Sequence, residues 1–243
     1  MKTNKTIRQL ADKSFILNLE IKNNQIQEEY QKVLVSIQKN FKTDGFRAGK
    51  VPLSIIKQNI SDSKIIEEIV SHLIPPLYSQ KIKKYQLKPI IQPQIKFINP
   101  PITLDKDWQI EITSCQLPPL TLKTIYQAQI KKINASKKED KITQIVEILI
   151  KNSQVKLPEI LIQADLQRQL SSLVDQTQQA GITINQYLQS KKTNLEQYKQ
   201  NLSLQIKKQW TLNLAIDKIA QDKKMNPTDK DLQQKVMDFL LQL

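Results

Sequence analysis

The sequence predicts an α+β N-terminal domain over residues 1–117, followed by an all-α C-terminal domain over residues 141–243. Apolar residues alternate with polar ones at two places in the first part, which is the period of a half-buried strand, whereas the second part carries only helical stripes. Between the two parts, Leu117-Pro118-Pro119-Leu120 precedes a polar, lysine-rich stretch. Residues 118–140 are therefore predicted as a linker, with at most a short strand around residues 125–133.

The first part begins with a predicted β-hairpin and a helix. Residues 15–21 place apolar side chains at alternate positions, and Thr3–Leu10 is expected to pair with them through a turn at residues 11–13. From Asn24 the apolar spacing becomes helical. The apolar stripe of this helix is Ile26, Tyr30, Val33, Leu34 and Ile37.

Two more helices and two strands complete the first part. A short helix is predicted over Pro52–Ile60, and a longer one begins near Ser61. Pro75-Pro76 must kink or break that longer helix, because proline lacks an N–H and clashes with the preceding turn. Pro89 and Pro93 confine the next apolar segment to a sheet edge or to bulges. The last strand is predicted from the alternate residues Trp108, Ile110 and Ile112.

The second part is predicted as a series of helices. A stripe that starts at Ile142 ends near Asn152, and Pro158 opens a helix that runs to Ala180. Gly181 supplies the left-handed residue that stops this helix.

Capping residues mark the later helices of the second part. The predicted caps are Thr183 with Gln186, Thr193 with Glu196, and Thr228 after Asn226-Pro227. The helix that starts at Thr193 is expected to reach about Asp222. Its apolar residues are Leu195, Tyr198, Leu202, Ile206, Trp210 and Leu214.

The net charge of +14 is spread over the whole chain. Residues 1–122 hold 18 basic and 11 acidic residues, and residues 123–243 hold 19 and 12. Such a field attracts RNA-rich or other anionic surfaces without specificity. The alternative is an ordinary solvated surface, since 34 of the 37 basic residues are lysines.

The chain shows no feature of a membrane or secreted protein. No apolar run approaches the ~18 residues that would span a bilayer, and Met1–Lys5 leads into no apolar signal core. The lone Cys115 excludes an internal disulfide, which fits a reducing cytosol. We expect a cytoplasmic protein without a membrane partner.

Residues 41–52 differ from the rest of the chain. Two of the three glycines, Gly45 and Gly49, lie here, together with Arg47, one of only three arginines. A chain that otherwise avoids glycine uses it where φ must be positive or where the backbone approaches something closely. Asp44-Gly45 is also a turn signal. A tight loop between two helices is therefore predicted.

The tip of this loop is predicted to present Phe46, Arg47 and Lys50 to solvent, while Pro52 opens the following helix. Arginine offers a planar fork of donors to phosphate or carboxylate, and phenylalanine adds contact area that ranks high in binding energetics. The alternative is an ordinary helix–helix turn in which Phe46 folds back into the core.

Residues 45–52 read Gly-Phe-Arg-Ala-Gly-Lys-Val-Pro and resemble the Gly-Phe-Arg-x-Gly-x-x-Pro signature of trigger factors, the bacterial ribosome-associated chaperones. In that family the loop tip docks beside the polypeptide exit tunnel, so Phe46 and Arg47 match the docking residues. Ala48 stands where many members have lysine, so one basic contact is missing. The ribosome-binding residues that the resemblance implies are Asp44, Gly45, Phe46, Arg47, Gly49, Lys50 and Pro52.

The second part also resembles this family. The similar features are Leu157-Pro158-Glu159 at a helix start, the long helix around Trp210, and Pro227-Thr228 before the next helix. The family's C-terminal region normally continues beyond the position of Leu243. One of its two arm-like projections is therefore expected to be shortened or absent.

The resemblance implies a chaperone that docks near the polypeptide exit tunnel and shields nascent chains from aggregation. The implied partners are a tunnel-exit ribosomal protein with the adjacent rRNA, and unfolded or nascent polypeptides; a weak homodimer is left open. Clients are expected to bind exposed apolar positions of the helices in residues 141–243, which the sequence alone does not name. No cofactor is implied.

Family members usually carry a prolyl-isomerase domain between these two parts. Residues 118–140 are too few for a domain, which needs ~50 residues or more, so no enzyme activity is expected. Two alternatives stay open. One is a peptidyl-prolyl isomerase or an accessory subunit of one, and the other is a ribosome-binding or RNA-binding module without chaperone activity.

The residues for catalysis or metal binding are scarce. One histidine and one cysteine exclude the usual His/Cys zinc sets, and three glycines provide no nucleotide-binding loop. A Cys115–His72 nucleophile pair is conceivable, but His72 is expected at a helix surface or the edge of a core. Glu28-Glu29 and Glu67-Glu68 are adjacent in helices and are expected to be solvated. No catalytic or metal-binding residue is predicted.

Overall fold

A computed structural model describes residues 6–47, 49–227 and 229–243. The chain divides into two compact units, residues 1–116 and 117–243. Each unit has buried apolar clusters of its own. The start of the predicted first strand at Thr3, the loop residue Ala48 and the predicted cap Thr228 lie outside the described residues.

The first unit confirms the predicted α+β fold. Across its described residues, a four-stranded antiparallel sheet in the order β1-β2-β4-β3 is accompanied by three helices. The elements are β1 (Ile7–Gln9), β2 (Ser14–Ile21), α1 (Asn23–Asn40), α2 (Leu53–Asn59), α3 (Asp62–Lys84), β3 (Gln94–Phe97) and β4 (Trp108–Cys115).

The core of the first unit lies on one face of this sheet. The alternate residues of β2 are buried as predicted, and the register places Leu17 opposite Ile112 and Leu19 opposite Ile110. Opposite residues of antiparallel strands point to the same face, so β2 and β4 bury their apolar side chains together. β3 forms one edge of the sheet, as Pro89 and Pro93 predict.

The sequence predicts a kink or a break at Pro75-Pro76, and the helix is not broken there. α3 runs through both prolines from Asp62 to Lys84. Each proline removes the N–H that would bond to the carbonyl four residues earlier, at Ser71 and His72. These four residues are exposed, so water can reach the freed carbonyls and the helix continues.

The second unit is mainly helical, as predicted. In its described residues the elements are β5 (Thr121–Leu122), α4 (Tyr126–Ile130), α5 (Lys138–Asn152), β6 (Ser153–Gln154), α6 (Glu159–Gln179), α7 (Ile184–Ser190), α8 (Leu195–Asp222) and α9 (Leu232–Leu241). β5 and β6 form a two-residue antiparallel pairing. Gly181 has φ +71° and ends α6 as expected.

The segment 118–140, predicted as a linker, contributes β5 and α4 to the second unit. The short strand predicted around residues 125–133 is wrong, because α4 occupies that position. Tyr126 and Ile130 lie four residues apart on one face of α4, and both are buried with residues of α5, α8 and α9. Burying this pair favours a helical turn over a strand.

The helix caps agree with the sequence at Thr183, whose side chain and that of Gln186 form the predicted capping box. The capping box at Thr193 is wrong. Asn194 Oδ1 accepts the N–H of Gln197 at 2.9 Å, so α8 starts one residue later than predicted. Asparagine caps a helix as well as threonine or better, and the two residues are adjacent.

The start of the last helix also differs from the prediction. α9 begins at Leu232 with Asp231 at the cap position, three residues after the predicted cap. Val236 and Leu240 of α9 are buried with residues of α5 and α8.

Candidate functional site

Both ends of the predicted loop are fixed to the core of the first unit. At the end of α1, the N–H of Phe41 donates to the carbonyl of Ile37 at 3.0 Å. At the other end, the side-chain amide of Gln38 donates to the carbonyl of Val51 at 2.7 Å, and Val51 itself is fully buried. The loop therefore rests on α1 and on the hydrophobic core at its two ends.

Two successive turns build the loop between these ends. The N–H of Phe46 donates to the carbonyl of Thr43 at 3.3 Å, and the N–H of Lys50 donates to that of Arg47 at 3.0 Å. Gly45 at φ +81° and Gly49 at φ +80° occupy the third position of each turn. Type II turns need a positive φ at that position, which glycine adopts without strain. The two glycines thus define the shape of the tip.

The tip presents its aromatic and basic side chains to solvent. Phe46 is 43% exposed, and Arg47 and Lys50 are exposed. The alternative in which Phe46 packs into the core is therefore wrong. Within the part of the chain that the structure describes, neither Arg47 nor Lys50 forms an ion pair. Both cations are available to a partner.

The surroundings of the loop are electropositive. Residues 38–60 contain one acidic residue, Asp44, and five basic ones that are all exposed. The basic residues are Lys39, Lys42, Arg47, Lys50 and Lys57. Because like charges are clustered here, the loop attracts phosphate or carboxylate groups.

Glu29 corrects the expectation that the adjacent carboxylates are solvated. It is 8% exposed, and its carboxylate bonds to Lys32 Nζ and His72 Nδ1, each at 2.9 Å. The Lys32 ammonium foremost, with a contribution from His72, holds the pKa of Glu29 below its usual range. Glu28 and the pair Glu67-Glu68 are exposed as expected. Glu29 therefore joins α1 to α3.

The structure gives no support to a thiol nucleophile. Cys115 is completely buried in β4, and burial raises the pKa of its thiol to about 11. The thiolate is the reactive form, so this cysteine is unreactive near neutral pH. His72, whose side chain is 45% exposed, lies at the edge of the core as predicted and bonds to Glu29.

A group of metal ligands and a membrane-spanning helix are both absent from residues 6–47, 49–227 and 229–243. No three His, Cys, Asp or Glu side chains there are grouped so that they could hold a metal ion. No described helix combines the length and the apolar character that crossing a membrane requires.

A second candidate surface lies between α6 and α8 in the second unit. These helices run in opposite directions, since Val174 meets Leu195 in one hollow and Leu166 meets Leu204 in another. The apolar side chains buried between them in the described structure are Ile162, Leu166, Leu202 and Ile206.

One polar cluster ties α6 to α8. The indole N–H of Trp210 donates to Asp165 Oδ2 at 2.7 Å, and Arg168 donates to the other carboxylate oxygen. Asp165 is buried, so both of its oxygens are satisfied inside the helix pair rather than by water. This cluster fixes how the two helices pack.

Hollows of 450 and 340 Å³ open side by side along α6 and α8, and Lys199 lines both. We call this surface the α6–α8 groove. Its apolar lining is Leu166, Leu170, Val174, Ile184, Leu195 and Leu204. Leu195 is 41% exposed and Leu204 is 59% exposed. The sequence could not name this surface, although Leu204 lies outside the apolar stripe of α8 and so signals an exposed leucine.

Comparison with known proteins gives the same relatives for both parts of the chain. The family model described as bacterial trigger factor protein matches residues 3–149, and that of the bacterial trigger factor C-terminus matches residues 121–242. The trigger factor of Bdellovibrio bacteriovorus is 31% identical over 147 residues, covering 60% of this chain and 32% of that protein. The trigger factor of Rickettsia prowazekii is 36% identical over 99 residues, or 40% and 21% of the two chains.

The solved structures show the same fold. One of them, from work on substrate recognition in folding and assembly by the trigger factor chaperone, matches with a TM-score of 0.56 and 12% identity. The match covers 98% of this chain and 99% of the other. The chain spans about a third or less of the length of the two curated relatives above.

Proposed function

The chain belongs to the bacterial trigger factor family, and from this premise we propose that it is a ribosome-associated chaperone. It docks near the polypeptide exit tunnel and shields emerging chains from aggregation in the cytoplasm. We assign docking to residues 1–117 and client binding to residues 141–243, with residues 118–140 between them.

The single observation that carries this proposal is the geometry of the loop at residues 41–52. An exposed ring and a guanidinium without an ion-pair partner in the described structure stand on turns whose ends are held by the core. Phe46 supplies contact area, and Arg47 can bond to a carboxylate or phosphate through two parallel hydrogen bonds. The contact set is Asp44, Gly45, Phe46, Arg47, Gly49, Lys50 and Pro52.

The partners that suit this loop are a tunnel-exit ribosomal protein and the adjacent rRNA. The five basic residues of positions 38–60 favour phosphate, and binding that neutralises phosphates weakens as salt rises. The Phe46 ring favours an apolar depression on the ribosomal protein. Salt should therefore reduce ribosome affinity without abolishing it.

Client binding is assigned to the exposed apolar positions of the second unit, the α6–α8 groove above all. Burying about 400 Å² of apolar surface would yield roughly 10 kcal/mol at ~25 cal/mol per Å². Association costs of ~4–15 kcal/mol offset most of this gain. Binding to unfolded segments is then weak and reversible, which suits a chaperone that must release its clients.

We propose no isomerase activity for this chain. The two family models overlap over residues 121–149, so no stretch of chain separates them. A proline-limited refolding assay checks this point. We expect refolding at the uncatalysed rate, and an acceleration proportional to the concentration of the protein would favour the isomerase alternative.

Co-sedimentation with ribosomes tests the docking proposal. The Phe46→Ala/Arg47→Ala variant should bind at least about tenfold more weakly than wild type at moderate salt, because interface anchors of these types each contribute strongly. The matched control is Arg8→Ala/Leu10→Ala, which removes an exposed arginine and an exposed apolar residue from β1 and its turn. Unchanged binding of the loop variant would refute the assignment.

Suppression of the aggregation of a chemically unfolded protein, without ribosomes, tests the chaperone half. We expect wild type and the loop variant to suppress aggregation equally. A ribosome-binding or RNA-binding module would sediment with ribosomes and yet leave the unfolded protein to aggregate.

A further inference from the structure

We propose that the outer edge of β3 binds an extended segment of an unfolded polypeptide, which joins the sheet as a further antiparallel strand. Such a contact rests on the proposed chaperone function and adds a second client-binding surface, in the first unit. It differs from the α6–α8 groove because it holds the client through directional backbone hydrogen bonds.

The backbone of β3 has hydrogen-bonding groups that face away from the sheet. Just after β3, the N–H of Ile98 donates to the carbonyl of Gln109 at 2.8 Å, so the backbone groups of Ile98 point towards β4. Hydrogen-bonded and non-hydrogen-bonded pairs alternate along antiparallel strands. The groups of Lys96 therefore also point towards β4, whereas those of Ile95 and Phe97 point to the outer edge. Two N–H donors and two carbonyl acceptors are thus aimed at an added strand.

The apolar face of the sheet continues to this edge without full cover. One row of neighbouring side chains runs through Leu17, Ile112 and Ile95, across β2, β4 and β3. Leu17 and Ile112 are fully buried, but Ile95 is 44% exposed. In the next row Phe97 is half-buried and packs edge-on against Trp108, with 5.9 Å between the ring centroids. An added strand would extend both rows and cover Ile95.

The opposite edge of the described sheet is more polar. It is formed by β1, whose exposed side chains are Arg8 and Gln9, followed by the exposed Leu10. Ile90 and Ile98, which flank β3 in sequence, are exposed together with the strand's own isoleucine. Six large apolar side chains are exposed among the described residues of the first unit, and three of them thus lie on or beside β3. Apolar exposure is concentrated at the β3 edge.

Prolines limit this edge to a short stretch. Pro93 precedes β3 and Pro100 follows it, and proline cannot donate a hydrogen bond to an added strand. Residues 94–99 between them span roughly 20 Å at ~3.3 Å per residue. A lysine on an edge strand discourages pairing, but Lys96 points to the opposite face from Ile95, because successive side chains alternate. The edge therefore admits a segment of about six residues, which it can release again.

The size of the edge favours an unfolded segment over a second copy of this chain. A specific interface takes ~20–30 residues from each partner, whereas residues 90–98 provide nine. Two copies joined through β3 alone would not form a stable dimer. An unfolded polypeptide, by contrast, has free backbone groups, and strand addition uses them with little dependence on sequence. The edge selects only for apolar side chains at every second position, which cover Ile95 and Phe97.

Amide exchange measured by NMR on the full chain tests this contact. The probe is a six-residue peptide in which valine alternates with serine, added at about ten times the dissociation constant that the shifts of the same signals give. The amide hydrogens of Ile95 and Phe97 should then exchange about tenfold more slowly, because they are free only when the peptide is not bound. The amide of Lys96, which already faces β4, should change little.

Methylated peptides distinguish strand addition from general apolar binding. In an antiparallel pair, the client residues opposite Ile95 and Phe97 share their face and turn their own N–H groups towards them. N-methylation of the valines should therefore weaken binding at least about tenfold. N-methylation of the serines, whose N–H groups face solvent, should leave it within about twofold. Equal effects of the two methylations, or weakening by the serine set alone, overturn the proposal.

A pair of lysine substitutions locates the contact on the protein. Ile95→Lys places a charge on the apolar side of the edge strand and should weaken peptide binding at least about fivefold. Val35→Lys replaces another exposed branched side chain, on α1, and should leave binding unchanged. Both variants add one positive charge, so an equal loss in both would contradict the assignment. The methylated peptides keep the test valid if either variant fails to fold.

Other outcomes separate this contact from the chaperone function on which it rests. If the amides of Ile95 and Phe97 gain no protection while wild type still suppresses aggregation, the edge is not a client site and the chaperone proposal stands. If both amides gain protection but wild type does not suppress aggregation, the edge is confirmed as a peptide-binding site and the chaperone proposal is refuted. Failure in both assays overturns both.

Discussion

The loop of the first unit and the α6–α8 helix pair of the second expose apolar residues in different ways. The loop stands on one continuous core in which 16 apolar side chains are buried among the described residues, and it exposes a single ring at Phe46. The cluster between α6 and α8 around Ile162 and Leu202 has four buried apolar side chains in the described structure, and Leu195 and Leu204 lie exposed along the side of the helix pair. The loop therefore presents one exposed ring on a large core, whereas the α6–α8 pair presents an apolar strip on a small one.

The loop and the α6–α8 groove are suited to different kinds of partner. A fixed ring beside a guanidinium suits one defined partner, because its geometry is set before binding. An apolar strip imposes no directional contacts and accepts many segments of similar composition. In the proposed chaperone, the first unit would therefore be the specific half and the second the adaptable half.

The largest change in stability is expected from a substitution in the core of the first unit. Ile110 is fully buried in β4, opposite Leu19 of β2. Ile110→Ala should lower the free energy of unfolding of the first unit by about 2–5 kcal/mol, because it leaves a cavity. Hydrogen exchange measured peptide by peptide checks this. Protection should fall in residues 6–116 and persist in residues 117–243, and an equal loss in both would contradict two independent cores.

The next effect concerns the polar cluster of the helix pair. Asp165→Ala leaves Trp210 Nε1 and Arg168 without their carboxylate and should cost about 1–3 kcal/mol in the second unit. Asp175→Ala, an exposed residue on the same helix, is the control and should stay within about 0.5 kcal/mol of wild type. Hydrogen exchange in residues 117–243 measures both. If the two variants have the same stability, Asp165 does not stabilise the packing of α6 against α8.

A smaller effect is expected from substituting two glycines that share a positive φ. Gly45 and Gly181 have φ +81° and +71°, and an added Cβ would meet nothing within 4 Å at either position. Gly45→Ala and Gly181→Ala should therefore each cost about 1 kcal/mol through backbone strain alone. Only Gly45→Ala should also weaken ribosome binding. Equal ribosome binding by the two variants would show that the shape of the loop is unimportant.

The smallest effect depends on pH. The pKa of Glu29 is lowered in the folded protein, so its stabilisation is present above the unfolded pKa of about 4.3 and is lost as the pH falls through the folded value. Glu29→Gln should cost about 0.5 kcal/mol at pH 7, since both partners are largely exposed. Between pH 5 and pH 3 the variant should lose less stability than wild type. Parallel pH profiles of the first unit would contradict this role.

Patterns that repeat along the chain predict the structure well. The alternation in residues 15–21 determines which face of β2 is buried, because a strand has only two faces. Gly45 and Gly49 determine the turns of the loop, because few residues tolerate a positive φ. The spacing alone leaves the exposure of Phe46 as one of two alternatives, and the structure decides between them.

Features that depend on tertiary neighbours could not be predicted. Glu29 is buried because His72 of α3 lies beside it, and nothing near Glu29 in sequence signals that contact. The α6–α8 groove depends on the pairing of two helices with α7 between them in the chain. Asn194 and Thr193 are both good caps, so only the structure distinguishes them.

The central claim is that ribosome docking and client binding use separate surfaces. Measuring two variants in both assays tests this claim most directly. Phe46→Ala/Arg47→Ala and Leu195→Gln/Leu204→Gln are each measured for ribosome affinity and for suppression of aggregation without ribosomes. We expect the loop variant to lose ribosomes and keep suppression, and the groove variant to keep ribosomes and lose most of its suppression. If either variant lost both activities while remaining folded, or the groove variant kept full suppression, this division would be contradicted.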